Sequence, residues 1–301
     1  MRLAAAGMSL LFLASVLGFF TVHSKPKPKP PKAAPPPVTT TTTVAPPPTT
    51  TAPPPAPPPP RIAMSWNNAG AFIVHTHDVD PTWLGQQFRN AGFGWVAVYL
   101  GSSGSAEAID PDWVSRFILA SGLPVGGWTV LNGNAHADAG FAATQLKRNG
   151  LTFYVADAEQ SYQGKAGASQ SFVSRFRQLE PSMTSGLSSL CDANGIGLAP
   201  WAQAGFAFLP QAYVNDFGAN VAPSVCVHAA SAYFPISSIH PTVGSYHGQK
   251  GWVSPQQYIP LLAAAGTTGF SVYNAETNMT AQAWQAYGQA IKQRHIAVRA
   301  S

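Results

Sequence analysis

A single (β/α)8 barrel spanning residues 61–301 is the fold this sequence predicts, and three observations predict it. Eight short apolar runs begin near residues 71, 94, 124, 152, 185, 206, 239 and 269, at intervals of about 21 to 33 residues, the length that a strand, a crossover helix and two loops require. The runs are nearly unbroken in apolar character, as strands are when a packed barrel lies inside them and a helical layer outside. Between them, amphipathic stretches open on Asp-Pro or Ser-Pro and close on glycine. An open doubly wound sheet is the competing α/β architecture. It calls for a glycine-rich turn after the first strand, where this chain has HTHDVDP.

The first strand is AFIVHTH (71–77). Asp80 then stands at a helix N-cap with Pro81 behind it, Leu84, Phe88 and Ala91 line one face, and Gly92 ends the helix. FGWVAVYL (93–100) follows as the second strand. Asp110 and Pro111 repeat the opening, with Val114, Phe117 and Ile118 as the apolar stripe and Gly122 as the stop before LPVGGWTVL (123–131). A helix over residues 139–149 leads through Gly150 to the fourth strand, LTFYVADAE (151–159). Phe172, Phe176 and Leu179 mark a helix near 169–180, ahead of TSGLSSLC (184–191). The sixth and seventh strands are AFLPQAY (207–213) and IHPTVGSYH (239–247), in a half with longer loops. Ser254 and Pro255 open the helix that reaches Gly266, GFSVYN (269–274) is the eighth strand, and residues 280–292 form the last helix.

Ahead of the barrel the chain has a different character. Residues 1–24 hold Arg2 and an uncharged apolar run over residues 3–22, which reads either as a cleaved secretory signal or as a retained membrane anchor. Residues 25–60 are a Pro/Thr/Lys-rich linker whose prolines favour the extended polyproline conformation, reaching on the order of 110 Å. The barrel is therefore expected outside the cytoplasm: secreted, anchored in the membrane through residues 3–22, or associated with the cell wall. Arg2, Lys25, Lys27, Lys29 and Lys32 carry the whole net charge of +5, leaving 12 Lys+Arg against 12 Asp+Glu in the barrel. A neutral domain lacks the basic face that nucleic acid requires, so nucleic acid is excluded as a partner. Cys191 and Cys226 form one disulfide or stay as two buried thiols; neither belongs to a metal-binding CxxC pair.

Barrel chemistry sits at the C-terminal ends of the strands. In FYVADAEQSY, a period of two turns Asp157 and Glu159 to the same side, toward the mouth. Two close carboxylates repel, which lifts the pKa of one into the range of a general acid. Glu159 lies nearer the rim and Asp157 deeper, and Asp78 is a third carboxylate at the mouth. Tyr99, Trp128, Trp201, Tyr213, Tyr246 and Tyr273 are aromatic candidates for stacking on sugar rings, with Gln211 and Asn274 for bonding hydroxyls. The same aromatics can equally be core. Asn132 and Glu276 are further polar residues near strand ends. His75 and His77 form an HxH pair of the kind barrel metallohydrolases use, without a spacing that selects further ligands.

Through Asp78, FYVADAE, GLSSLC, LPQAY and HPTVGSYH, over about residues 65–295, the chain resembles lysozyme-like glycoside hydrolase family 25 and its bacterial and phage relatives. The resemblance implies a (β/α)8 barrel that cleaves the β-1,4 bond of peptidoglycan without a cofactor or metal. Glu159 then matches the catalytic glutamate, and Asp157 and Asp78 the supporting aspartates. The family's first strand carries an aspartate near its start; this chain has MSWNNAGAF there and no carboxylate between residues 61 and 77. The expected function is hydrolysis of peptidoglycan or another polysaccharide by a monomer with Glu159 as general acid. Two readings compete with it: a glycan-binding or surface-attachment module that has lost catalysis, and a metal-assisted hydrolase or deacetylase built on His75 and His77.

Overall fold

A computed structural model gives the structure of the protein and describes residues 62–191, 195–276 and 279–300, with 294–300 as backbone only. The expected signal or anchor segment (1–24) and the expected linker (25–60) lie outside the described residues. No helix among the described residues is long and apolar enough to cross a membrane.

Eight parallel strands close into a barrel in chain order: β1 (Gly70–Ile73), β2 (Trp95–Ser102), β4 (Val125–Val130), β5 (Phe153–Asp157), β6 (Thr184–Leu190), β7 (Ala207–Gln211), β8 (Thr242–Gly244) and β9 (Ser271–Tyr273). The barrel shuts because β1 pairs both with β2, Gly70 opposite Trp95, and with β9, Gly70 opposite Ser271. A two-residue β3 (Ser105–Ala106) folds back antiparallel on the end of β2. The larger helices of the outer layer are α1 (Pro81–Ala91), α2 (Pro111–Ser121), α3 (Ala135–Arg148), α4 (Ala166–Leu179), α7 (Pro223–Ala230), α8 (Pro255–Ala264) and α9 (Ala281–Ala300). Single turns α5 (Ala199–Gln203) and α6 (Val214–Phe217) lie in the less regular half.

The helix signals act where the sequence places them. The Asp80 side chain accepts from the Trp83 N–H at 2.7 Å, and Gly92 closes α1 in the left-handed region at φ 82°. Asp110 caps α2 through the Asp112 N–H, and Ser254 forms a reciprocal capping box with Gln257 at the start of α8. Each such cap contributes about 1 kcal/mol by taking a backbone donor that the helix cannot satisfy.

Inside the barrel, alternate residues build a second core of Phe72, Trp95, Ala97, Trp128, Phe153, Val155, Ala207 and Leu209. Large rings fit because small residues face them: a Cβ on Gly70 would fall 1.8 Å from the Trp95 ring, and one on Gly126 2.4 Å from Phe153. Trp66, from the segment before β1, closes the lower end with its ring edge-on to Trp95 at 5.1 Å and to Phe153 at 5.6 Å.

Most strands are shorter than the sequence pattern, and two of them have a specific cause. The first ends at Ile73, because a carboxylate oxygen of Glu276 takes the N–H groups of Val74 and His75 at 2.8 and 2.9 Å, and Thr76–Asp78 turns into a 3-10 helix. His75 and His77 therefore do not alternate along a strand. The seventh holds only Thr242–Gly244, joined to β7 at Gln211 and Thr242 and by an isolated bridge between Phe208 and Ile239. Pro241, between these two points, has no N–H to give to the ladder. Cys191, after β6, is disulfide-bonded to Cys226 of α7. A crosslink over that separation of 35 residues stabilises the fold by about 4 kcal/mol on the chain-entropy account.

Candidate active site

Three neighbouring strands deliver the polar centre of the barrel mouth. In register, Asp157 of β5 stands opposite Ser188 of β6, and Gln211 ends β7. The Gln211 Nε2 lies 2.9 Å from Asp157 Oδ1, 2.8 Å from Glu159 Oε1 and 3.2 Å from Ser188 Oγ. One amide nitrogen thus bridges the two carboxylates, and the bridged oxygens are no farther apart than the first two of those lengths together. Both acids keep some accessible surface, while Gln211 beneath them is buried.

Burial acts first on both acids. Asp157 is pushed well above the ordinary carboxylate range by desolvation and then by the charge of Glu159, against the bonds from Ser188 and Gln211 that favour its ionised form. Glu159 is raised by burial, again opposed by the Gln211 amide. The pair titrates as a unit and holds a proton to higher pH than a free carboxylate does. Such a pair can give a proton to a leaving oxygen on one carboxyl and present a negative charge on the other.

Glu159 is held from both sides. The Ala158 N–H donates to the Ser188 carbonyl at 3.0 Å, continuing the sheet just past β5. The turn Gln160–Tyr162 then carries the buried Tyr162 ring, whose hydroxyl donates to Asp138 Oδ2 at 3.0 Å, and Ser161, whose hydroxyl donates to the Leu131 carbonyl. Asp138 is itself buried and also accepts from Ser103 Oγ at 2.5 Å and from the N–H groups of Asn132 and Gly133 at 3.2 Å. This carboxylate, absent from the sequence reading, ties three upper loops together. Asn132 is part of the same knot, since its side-chain amide donates to the Ser103 carbonyl at 2.9 Å.

Tyrosines wall the mouth. Tyr99 packs on Trp128 at 4.4 Å between ring centroids, and Tyr213, Tyr246 and Tyr273 form a mutual cluster at 5.6–5.9 Å. The Tyr99 hydroxyl pKa is raised by burial and then by Asp157 and Glu107; that of Tyr273 by burial and then by Asp157, Glu276 and Glu159. Tyr213 is raised by burial, the other two tyrosines of its cluster and both acids of the pair. These hydroxyls therefore stay protonated as donors. Tyr99, Tyr246 and Tyr273 keep accessible surface, as does Asn274, which adopts a positive φ of 41°. Tyr246 is fixed by its hydroxyl, which donates to Asp216. Trp128 and Tyr213 are buried, and the Trp128 indole N–H is spent on the Ile73 carbonyl at 3.1 Å.

Three residues depart from the sequence expectation. Trp201 is 0% exposed and packs between Phe172 and Phe206 in the helical layer, so it offers no face to a ligand. Asp78 sits out on the 3-10 turn, exposed, with His77 as its neighbour at 3.5 Å instead of the carboxylate pair. His75, His77 and Asp78 bring ligand atoms within 4.8 Å of one another, a set of two imidazoles and a carboxylate of the kind that binds zinc. Gln211 departs in a different sense: its amide hydrogens, expected to meet substrate hydroxyls, point at the acids. Glu276 serves the seam of the barrel, gripping the backbone where β1 ends, and burial raises its pKa.

Fold and site together define an α/β barrel carrying a bridged carboxylate pair at its mouth. Solved structures share the barrel fold. A chitinase from Chromobacterium violaceum is 15% identical, with 75% of this chain and 99% of that chain covered and a TM-score of 0.53. The Bacillus cereus spore cortex-lytic enzyme SleL is 10% identical, with 73% of each chain covered and a TM-score of 0.55. A chain of the Amycolatopsis orientalis BexX/CysO complex is 13% identical, with 76% and 91% covered and a TM-score of 0.53. At these identities the likeness shows the fold alone. No protein-family model matches the chain, and no curated protein matches it.

Proposed function

We propose that this barrel is an extracytoplasmic glycoside hydrolase acting on peptidoglycan or another polysaccharide, with Glu159 as general acid. The observation that carries the reading is the Gln211-bridged pair of desolvated carboxylates at the strand ends. Glu159, nearer the rim, gives its proton to the departing glycosidic oxygen. Asp157, deeper and at rest the stronger proton holder of the two, shares the pair's single negative charge, which faces the oxocarbenium-like centre or the N–H of a substrate acetamido group, whose carbonyl oxygen then attacks the anomeric carbon. The oxygen separation set by Gln211 falls below the roughly 6.5–9.5 Å that an inverting pair needs to admit water. Retention, through the substrate's own acetamido group or a covalent intermediate, is the outcome this geometry favours. Tyr99 and Tyr273 supply ring faces and hydroxyls for a neutral sugar, and Tyr246 a ring face. Export is supported by the disulfide, which oxidising compartments maintain.

A family 25 muramidase is the narrower version. The inward positions of β1, Gly70 and Phe72, and Val74 just past it, carry no acid, and Asp78 stands on the rim. That arrangement also favours the second reading, a barrel that binds glycan without turning it over. Release of reducing ends from peptidoglycan and from chitin by the purified protein, compared with Glu159→Gln, tests the first reading; equal release from both proteins removes Glu159 as the acid. Retention on insoluble wall material with no release of reducing ends, lost in Tyr273→Ala, would establish the second.

A further inference from the structure

The turn that follows β1 gathers three metal-ligating side chains that neither the core nor the carboxylate pair uses. Glu276 pins the entry to this turn by accepting from the Val74 and His75 N–H groups at 2.8 and 2.9 Å, and the Asp78 N–H closes it on the His75 carbonyl at 3.4 Å. Thr76 is buried, which anchors the middle of the turn and leaves His77 and Asp78 to solvent. A 3-10 turn repeats about every three residues, which brings His75 and Asp78 toward one side. The two imidazole rings lie 6.0 Å apart between centroids, and His77 Nε2 lies 3.5 Å from Asp78 Oδ1. One ligand atom from each of the three residues falls within 4.8 Å of the other two. The His77 and Asp78 side chains are 62% and 54% exposed, so an ion reaches them without any opening of the fold.

We propose that His75, His77 and Asp78 form a binding site for one divalent transition-metal ion of the zinc class. Tetrahedral zinc with bonds of about 2.0–2.2 Å sets neighbouring ligand atoms roughly 3.3–3.6 Å apart. The distance between His77 and Asp78 already fits that edge, and a shift of about 1 Å by these accessible side chains completes the set. Two imidazole nitrogens beside one carboxylate select zinc and its neighbours over magnesium and calcium, which prefer shells of oxygen. Three protein ligands leave a further position for water or another oxygen donor. The backbone of the turn is held before the ion arrives, so binding has only side chains to order. The site is independent of the proposed hydrolysis: a barrel that has lost catalysis would keep it.

The test is a Zn²⁺ titration of the full chain, purified without an affinity tag and stripped with a chelator, read by calorimetry and by the histidine imidazole resonances. One ion per chain should bind with micromolar or tighter affinity. The His75 and His77 resonances should move together with one midpoint, and Mg²⁺ at the same concentrations should move neither. His75→Ala, His77→Ala and Asp78→Ala should each weaken Zn²⁺ by at least about tenfold. His136→Ala, which removes an exposed histidine of α3, should leave the affinity unchanged. The His75 side chain caps no backbone group and the other two are exposed, so without metal all three variants should melt near the wild-type temperature. No binding at millimolar Zn²⁺, movement of only one of the two imidazoles, an equal response to Mg²⁺, or full affinity in any of the three variants would overturn the proposal.

Discussion

Replacing Gln211 with leucine removes the amide that bridges the two acids and keeps the side chain's approximate volume. The structure sets the size of the effect. In the wild type the amide donates to Asp157 Oδ1 at 2.9 Å and to Glu159 Oε1 at 2.8 Å. A bond to a charged acceptor contributes about 1.5–3 kcal/mol in favour of the ionised carboxylate, roughly a tenfold or greater change in its ionisation constant. Loss of the amide therefore raises both acids further, in the direction burial already drives them. The sign for stability follows by linkage. A carboxyl whose folded pKa lies above its unfolded value binds more protons folded than unfolded, so stability is greatest below the unfolded pKa and falls as pH rises through the folded one. In Gln211→Leu the window of falling stability extends to higher pH, and the deficit against wild type grows from acid toward neutral pH. Carboxyl-carbon NMR of protein labelled at Asp and Glu reads the titration directly, and urea unfolding at several pH values reads the linkage. Midpoints that stay in place or move down would refute the bridge as a determinant of the pair's protonation.

Glu159→Gln should lower turnover by roughly a hundred- to ten-thousand-fold while leaving the unfolding midpoint near wild type, read from initial rates and thermal melts. Cys191→Ser should cost about 4 kcal/mol in urea unfolding, and wild type in reductant should approach the variant. Gly70→Ala drives a methyl to 1.8 Å from the Trp95 ring inside the barrel and should cost about 1–3 kcal/mol or more by overpacking, seen as a lower melting temperature. Glu276→Ala removes a buried acceptor from the Val74 and His75 N–H groups, at a cost of about 2–3 kcal/mol, and should raise amide exchange at the end of β1.

Much of the fold was legible because its signals are local. Asp80 before Pro81, Asp110 before Pro111 and Ser254 before Pro255 mark helix starts through contacts within four residues, and glycine after the apolar stripe marks the stops. Period-two alternation likewise placed Asp157 and Glu159 on one side. What the sequence hid depends on partners far along the chain. The first strand ends early because of Glu276, 202 positions from Val74. The task of Gln211 follows from the register of β5, β6 and β7, which no single segment encodes; Ser188 escaped for the same reason, although it occupies the alternate inward position of TSGLSSL. Trp201 lies in a one-turn helix, too short for periodicity to say which side it faces.

The anomeric configuration of the first product, followed by NMR during cleavage of an N-acetylated oligosaccharide, tests the Asp157–Glu159 pair most directly. Two acids bridged by a single amide leave no room for a water to attack from the far face, so the product should appear with its original configuration and Glu159→Gln should form none at a comparable rate. An inverted first product, or equal cleavage by the variant, would contradict it.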